Sequence, residues 1–98
     1  MYARVSTYEG SVDDYDSGLD KIKSETVPRV RSLPGSKGLL VMVDRSSGQS
    51  MSIALYESQE ALDNTREQAQ QARSQASEGI RSKVTSVVEY EVGVSELF

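Results

Sequence analysis

The chain has 98 residues, a formal net charge of −4, and no cysteine, histidine or tryptophan. That length fits a single domain, residues 1–98, with a modest core. The residue types exclude disulfides and any metal site built on cysteine or histidine.

No apolar stretch after Met1 has the character of a leader, and none is long enough to span a bilayer. No basic cluster offers affinity for nucleic acid or anionic lipid. A soluble, cytoplasmic protein is expected, with neither a nucleic-acid nor a membrane partner. Met1–Tyr8 (MYARVSTY) is rich in strand formers and ends at Glu9-Gly10. Val12, Tyr15, Leu19, Ile22 and Val27 recur at helical spacing and predict an amphipathic helix. Ser11 is its expected N-cap, and Asp13, Asp14 and Asp16 suit the positive end of the helix dipole. Pro28 predicts a kink or break, Val30 and Leu33 extend the apolar contacts, and Pro34-Gly35 ends the segment.

Gly38–Val43 (GLLVMV) is apolar on both alternating faces and needs cover on each. Asp44–Gln49 is a turn in which Gly48 is expected to take a positive φ. Ser50–Tyr56 then alternates, with Met51, Ile53 and Leu55 opposite Ser52, Ala54 and Tyr56. Ser58 is the expected N-cap of a second helix with Glu60 in its first turn, running to about Glu78 with Gly79 as its stop. Its stripe, Leu62, Thr65, Ala69, Ala72 and Ala76, is narrow enough for close approach to a sheet. Val84–Val94 predicts the last strand, with Val84 and Val88 on one face and Val87 on the other, before a short tail.

The order βαββαβ predicts an α+β, ferredoxin-like fold: a four-stranded antiparallel sheet with two helices on one face. Two helices leave the other sheet face open, yet the strands carry apolar residues on both sides. The economical cover is a second copy, sheet on sheet, which predicts a homodimer through that face.

The stretch GLLVMVDRSSGQSMSIALYESQEAL (Gly38–Leu62) resembles the dimeric α/β-barrel proteins, in particular the antibiotic-biosynthesis-monooxygenase-like group. The likeness lies in a glycine-led apolar strand, an Asp-Arg-x-x-Gly turn, and an aromatic-Glu-Ser-x-Glu-Ala entry to the second helix. The final VVEYEV (Val87–Val92) is similar too. The resemblance implies a dimeric α/β barrel and admits cofactor-free oxygenases of aromatic polyketides or quinols, haem-degrading enzymes, and proteins without assigned chemistry. Two departures count. Tyr56 stands where such sequences often carry tryptophan, and the histidine with which haem-degrading relatives ligate iron is absent. No cofactor or metal is therefore expected.

A cofactor-free oxygenase needs a donor facing an apolar pocket, to stabilise a phenolate or enolate. The polar groups available are Tyr2, Tyr8, Tyr15, Tyr56, Tyr90, Asn64, Arg4, Arg29, Arg73 and the carboxylates. Tyr15, Tyr56 and Asn64 are the candidate ligand-binding residues; no residue is assigned a catalytic role. Each also has a purely structural reading: Tyr15 as core, Tyr56 as strand-end packing, Asn64 as a solvated helix residue. Arg4 is read as pairing with a carboxylate on a neighbouring strand, and Met42 and Met51 as core. Glu89 and Glu91 share one face of the last strand, read as exposed or interfacial. An apolar cavity is expected between Ala69, Ala72 and Ala76, the first helix around Tyr15 and Leu19, and the sheet. Two functions stay open: cofactor-free oxidation or binding of a small aromatic or apolar molecule, and a non-catalytic ligand-binding or structural dimer. An RNA-binding domain of the same topology is disfavoured, because the only phenylalanine is the terminal Phe98 and the chain is acidic.

Overall fold

The computed structural model describes residues 1–11, 15–79 and 81–98. Strand β1 (Tyr2–Gly10) leads into a first helical layer made of α1 (Tyr15–Lys21), a π-helical turn (Ile22–Thr26) and α2 (Val27–Arg31). Strands β2 (Ser36–Val43) and β3 (Gln49–Tyr56) form a hairpin, followed by α3 (Gln59–Gly79) and β4 (Ser82–Glu91). The sheet order is β2-β3-β1-β4 with every pair antiparallel, and both helical layers cover one face. This is the ferredoxin-like α+β arrangement expected from the order of elements. The helix start assigned to Val12, Asp13 and Asp14 lies outside the described residues, as does Ile80.

The first helical layer absorbs its proline by a change of pitch. The Val27 N–H donates to the Ile22 carbonyl five residues back, which widens the helix by one residue just before Pro28. Pro28 then falls in the first turn of α2, where a missing N–H costs nothing. The segment continues as helix through the position where a kink or break was expected.

The hairpin turn follows its composition. Gly48 has φ 80°, and Asp44 Oδ1 accepts from the Ser46 N–H at 2.9 Å and the Ser46 hydroxyl at 2.6 Å. Helix α3 starts on its expected cap: Ser58 Oγ accepts the Ala61 N–H at 3.1 Å. The positive φ after α3 falls at Arg81 (φ 52°).

Register determines which side chains meet the helices. On β1 these are Arg4, Ser6 and Tyr8; on β3 Ser52, Ala54 and Tyr56; on β2 Leu39 and Val41. The other face carries Leu40, Met42, Met51, Ile53, Leu55, Val5, Val88 and Tyr90, paired across the strands. Leu40 and Tyr90 are each 55% exposed there. Met42 and Met51, read as core, therefore sit on the open face.

Strand β4 departs from simple alternation. Thr7 pairs with Ser86, but the next residue, Tyr8, pairs with Val84, so Thr85 is an extra residue in a bulge. The bulge moves Val84 to the helix side with Val87, and Val88 stays on the open side. The expected grouping of Val84 with Val88 is thus overturned. Beneath the helices the core has two clusters. Leu33, Tyr56, Ala61 and Leu62 form one, and Tyr15 with Ile22 the other.

Candidate functional site

Strand β1 is a central strand whose helix-facing side chains are polar, and that oddity builds the site. Arg4 is 3% exposed. Its Nε donates to Glu89 on the adjacent strand at 3.1 Å, one terminal nitrogen to the Leu62 carbonyl at 2.7 Å, and the other to the Tyr56 hydroxyl at 3.3 Å. The guanidinium also stacks over the Tyr56 ring, 5.1 Å from its centroid. Arg4 and Glu89 are cross-strand partners in register, as the sequence reading of Arg4 anticipated.

Glu89 serves two arginines. Besides Arg4, Arg66 of α3 grips both its oxygens, at 3.1 and 2.6 Å. The Arg66 hydrogen bond comes first in holding the Glu89 carboxyl below its ordinary range, with Arg4 adding to it and partial burial opposing. A glutamate read as exposed or interfacial is instead the hub of an ion-pair cluster. Arg66 also pairs with Asp63 at 2.8 Å.

Arg73 of α3 completes the wall. Its Nε donates to Ser6 Oγ at 3.0 Å, and burial pushes its pKa down. Among the described residues it has no carboxylate partner.

Between α3, the first helical layer and the sheet lies a cavity of about 40 Å³. Ala69, Ala72 and Ala76 line it as expected, together with Tyr8, Tyr56 and Thr26, but Tyr15 and Leu19, expected beside it, do not. Tyr8 and Ser52 share a hydrogen bond of 3.0 Å across its floor. An apolar cavity that admits benzene measures about 150 Å³, so this space as it stands holds water-sized occupants rather than a ring. It borders an open groove of about 670 Å³ between α3 and β4, and Arg4 and Arg73 line both spaces.

The three candidate ligand residues do not converge. Tyr56, fully buried, lines the cavity. Tyr15, also buried, packs in the Ile22 cluster against Val41, Val43 and Ala76, outside the cavity lining. Asn64 is exposed on the outer surface of α3. The sequence reading missed Ser6 and gave Arg73 no role beyond being one of the chain's polar groups. Two signals could have found them. Arg4, Ser6 and Tyr8 occupy alternate positions on a central strand, and Arg73 falls four residues after Ala69 and three before Ala76, on the stripe itself.

Among the described residues no group of acidic side chains is placed to hold a metal ion, and no helix is long and apolar enough to cross a membrane.

No family model matches the chain. Uncharacterized protein Rv2557 of Mycobacterium tuberculosis is 28% identical over 78 residues, which is 80% of this chain and 35% of that protein. The chain thus spans about a third of the length of that relative. Solved structures match over nearly the whole chain. HapK from Hahella chejuensis has a TM-score of 0.74 at 14% identity, covering 100% of this chain and 99% of HapK. SnoaB, a cofactor-independent oxygenase from Streptomyces nogalater, has a TM-score of 0.65 at 14% identity, covering 96% of this chain and 94% of SnoaB. An antibiotic biosynthesis monooxygenase has a TM-score of 0.63 at 20% identity, covering 94% of this chain and 98% of that one. The fold of this chain is therefore that of the antibiotic-biosynthesis-monooxygenase-like, ferredoxin-like proteins.

Proposed function

We propose that the chain is a homodimer, paired through its open sheet face, that takes a small apolar or aromatic molecule between α3 and the sheet and oxidises it without a cofactor. The observation carrying this reading is the alanine-lined cavity floored by Tyr8, Ser52 and Tyr56. Its lining is mostly apolar, and two phenolic hydroxyls and a serine provide hydrogen-bond partners for a substrate oxygen. The likeness in fold to a cofactor-independent oxygenase supports the same chemistry. In such a reaction a substrate anion reduces dioxygen directly. For an activated ring methylene, one oxygen atom becomes the new carbonyl and the other leaves as water. At about 40 Å³ the space takes a ring only if its helical walls and the sheet separate further.

A second reading, binding without catalysis, is favoured by one observation. The carboxylate at the site, Glu89, is held below its ordinary pKa by Arg66 and Arg4, which makes it a poor base. Catalysis then relies on the acidity of the substrate itself.

Oxygen uptake with a panel of anthrones and naphthalene diols, in metal-free buffer, separates the readings. Protein-dependent uptake that falls at least about tenfold in Ala72→Val, where added methyl groups occupy the cavity, supports oxidation. Saturable binding with no uptake leaves the non-catalytic reading, and neither binding nor uptake overturns both.

A further inference from the structure

The groove between α3 and β4 carries an excess of positive charge that the protein itself leaves unanswered. Three guanidinium groups, those of Arg4, Arg66 and Arg73, face two carboxylates, those of Glu89 and Asp63. Arg4 and Arg66 divide Glu89 between them, and Asp63 adds to Arg66. Every nitrogen of Arg4 has a partner. Arg73 is different. Its Nε is tied to Ser6, so the side chain is oriented, while its two terminal nitrogens have no hydrogen-bond partner among the described residues. Glu89 acts on Arg73 only through space, and a half-buried guanidinium without a directly bonded carboxylate is costly; its planar fork matches one with two parallel hydrogen bonds. The same side chain lines both the inner cavity and the open groove, whose floor includes Val84 and Val87.

We propose that Arg73 is the counter-ion for the carboxylate of an aromatic acid, held where the α3–β4 groove opens into the alanine-lined cavity. This rests on the reading that the cavity takes an apolar body, and it narrows the ligand class to monoanionic aromatic carboxylates. The ring lies in the groove beside Val84 and Val87 and enters between Ala69 and Ala76 as the cavity widens, and the carboxylate stays at the groove, on the Arg73 terminal nitrogens. Ser6 positions Arg73 and does not itself meet the ligand. A monoanion neutralises the leftover charge; a dianion would bring the excess back with the opposite sign.

The test compares 2-naphthoate with its neutral isostere 2-naphthamide by calorimetry on the wild-type chain, with Arg73→Gln and Arg73→Lys alongside. The side-chain Nε–H signal of Arg73 is followed by NMR during titration with benzoate. A charge-assisted pair predicts that naphthoate binds at least about tenfold more tightly than naphthamide. That preference disappears in Arg73→Gln and is partly kept in Arg73→Lys, which retains charge but not the fork. Equal affinity for acid and amide in the wild type overturns the carboxylate site and leaves the cavity reading standing. If neither naphthalene binds yet benzoate shifts the Arg73 signal saturably, the carboxylate site stands and the cavity reading falls. No binding and no shift overturn both. The wild-type comparison needs no variant, so a poorly folding Arg73→Gln does not spoil the result.

Discussion

Arg4 shows how much of this fold is concentrated in one side chain. It joins β1 to β4 through Glu89, to β3 through Tyr56, and to α3 through the Leu62 carbonyl. Removing one member of a buried pair leaves the other unpaired, at a cost of about 3–5 kcal/mol, but Glu89 keeps Arg66. Arg4→Met is therefore expected to lose about 3 kcal/mol in urea unfolding. Tyr56→Phe, which gives up one long hydrogen bond, is expected to lose about 1 kcal/mol. Lysine in place of Arg4 cannot reach three partners in different directions and should behave more like methionine than like arginine. Acid stability follows from the same cluster. The folded-state pKa of Glu89 lies below its unfolded value, so its contribution is complete above about pH 4.3 and is lost as pH falls through the folded value. Asp44, lowered to about 2 chiefly by the Ser46 hydroxyl, has the same sign. Glu89→Gln should flatten the decline in stability between about pH 5 and 3, read from urea midpoints across that range. A carboxylate partner for Arg4 on a neighbouring strand was legible from alternation, but its identity as Glu89 was not, because the sequence does not show which strand lies beside β1. Arg66 was not legible, because it lies outside the apolar stripe of α3; Arg73 sits on that stripe, but an arginine among alanines reads as a solvated polar residue until the strand opposite it is known.

At the level of elements, the boundaries that carry chemical punctuation were readable and those set by backbone irregularity were not. Ser58, Gly48 and Pro34-Gly35 each end or begin an element by a local mechanism, and each acts where expected, with Gly35 at φ 79° after α2. Ser58→Ala is expected to cost about 1 kcal/mol, and Ser58→Asp to restore most of it, since aspartate also accepts the Ala61 N–H. Matching thermal melts of Ser58→Ala and wild type would show that the cap contributes nothing. The bulge at Thr85 left no such mark: it lies in a Thr-Ser pair between Val84 and Val87, and nothing in that pair signals an extra residue. The π-helical turn is similar. Pro28 announces a conflict with an α-helix but not its resolution, which depends on how Ile22 and Val30 must face the sheet. The cavity-lining Tyr56 was found from the strand pattern. Asn64 was placed by its neighbours Leu62 and Thr65, which are buried, and its own direction 100° or so around the helix turned it outward.

The whole molecule presents one face in need of cover. Leu40, Met42, Val88 and Tyr90 stand exposed on the side of the sheet away from the helices. Leaving such area wet forgoes roughly 25 cal/mol for each Å². The register now separates two charge substitutions that the sequence could not. Val88→Asp lies on the open face and is expected to give a folded monomer of about 10.8 kDa. Val41→Asp points under the helices, against the Tyr15 and Ile22 cluster, and is expected to unfold the chain. Light scattering coupled to size exclusion reads the first and circular dichroism the second; a wild-type chain that is itself a stable monomer removes the case for pairing.

The two bulges also bear on how assembly stops. Both sit on the outermost strands. Thr85 is the extra residue of β4, and Lys37 is the extra residue of β2, where Ser36 pairs with Tyr56 and Gly38 with Leu55. An outermost strand offers unpaired amides and carbonyls to any passing chain, and a bulge with a charged residue spoils that template. Regular edges would let sheets join side by side without limit; irregular ones disfavour that, and the proposed face-to-face pairing would close at two copies. Deleting Lys37 and Thr85 together is therefore expected to give thioflavin-positive fibrils on shaking under conditions where the wild-type chain gives none, while either deletion alone leaves one end blocked and fibril growth slow.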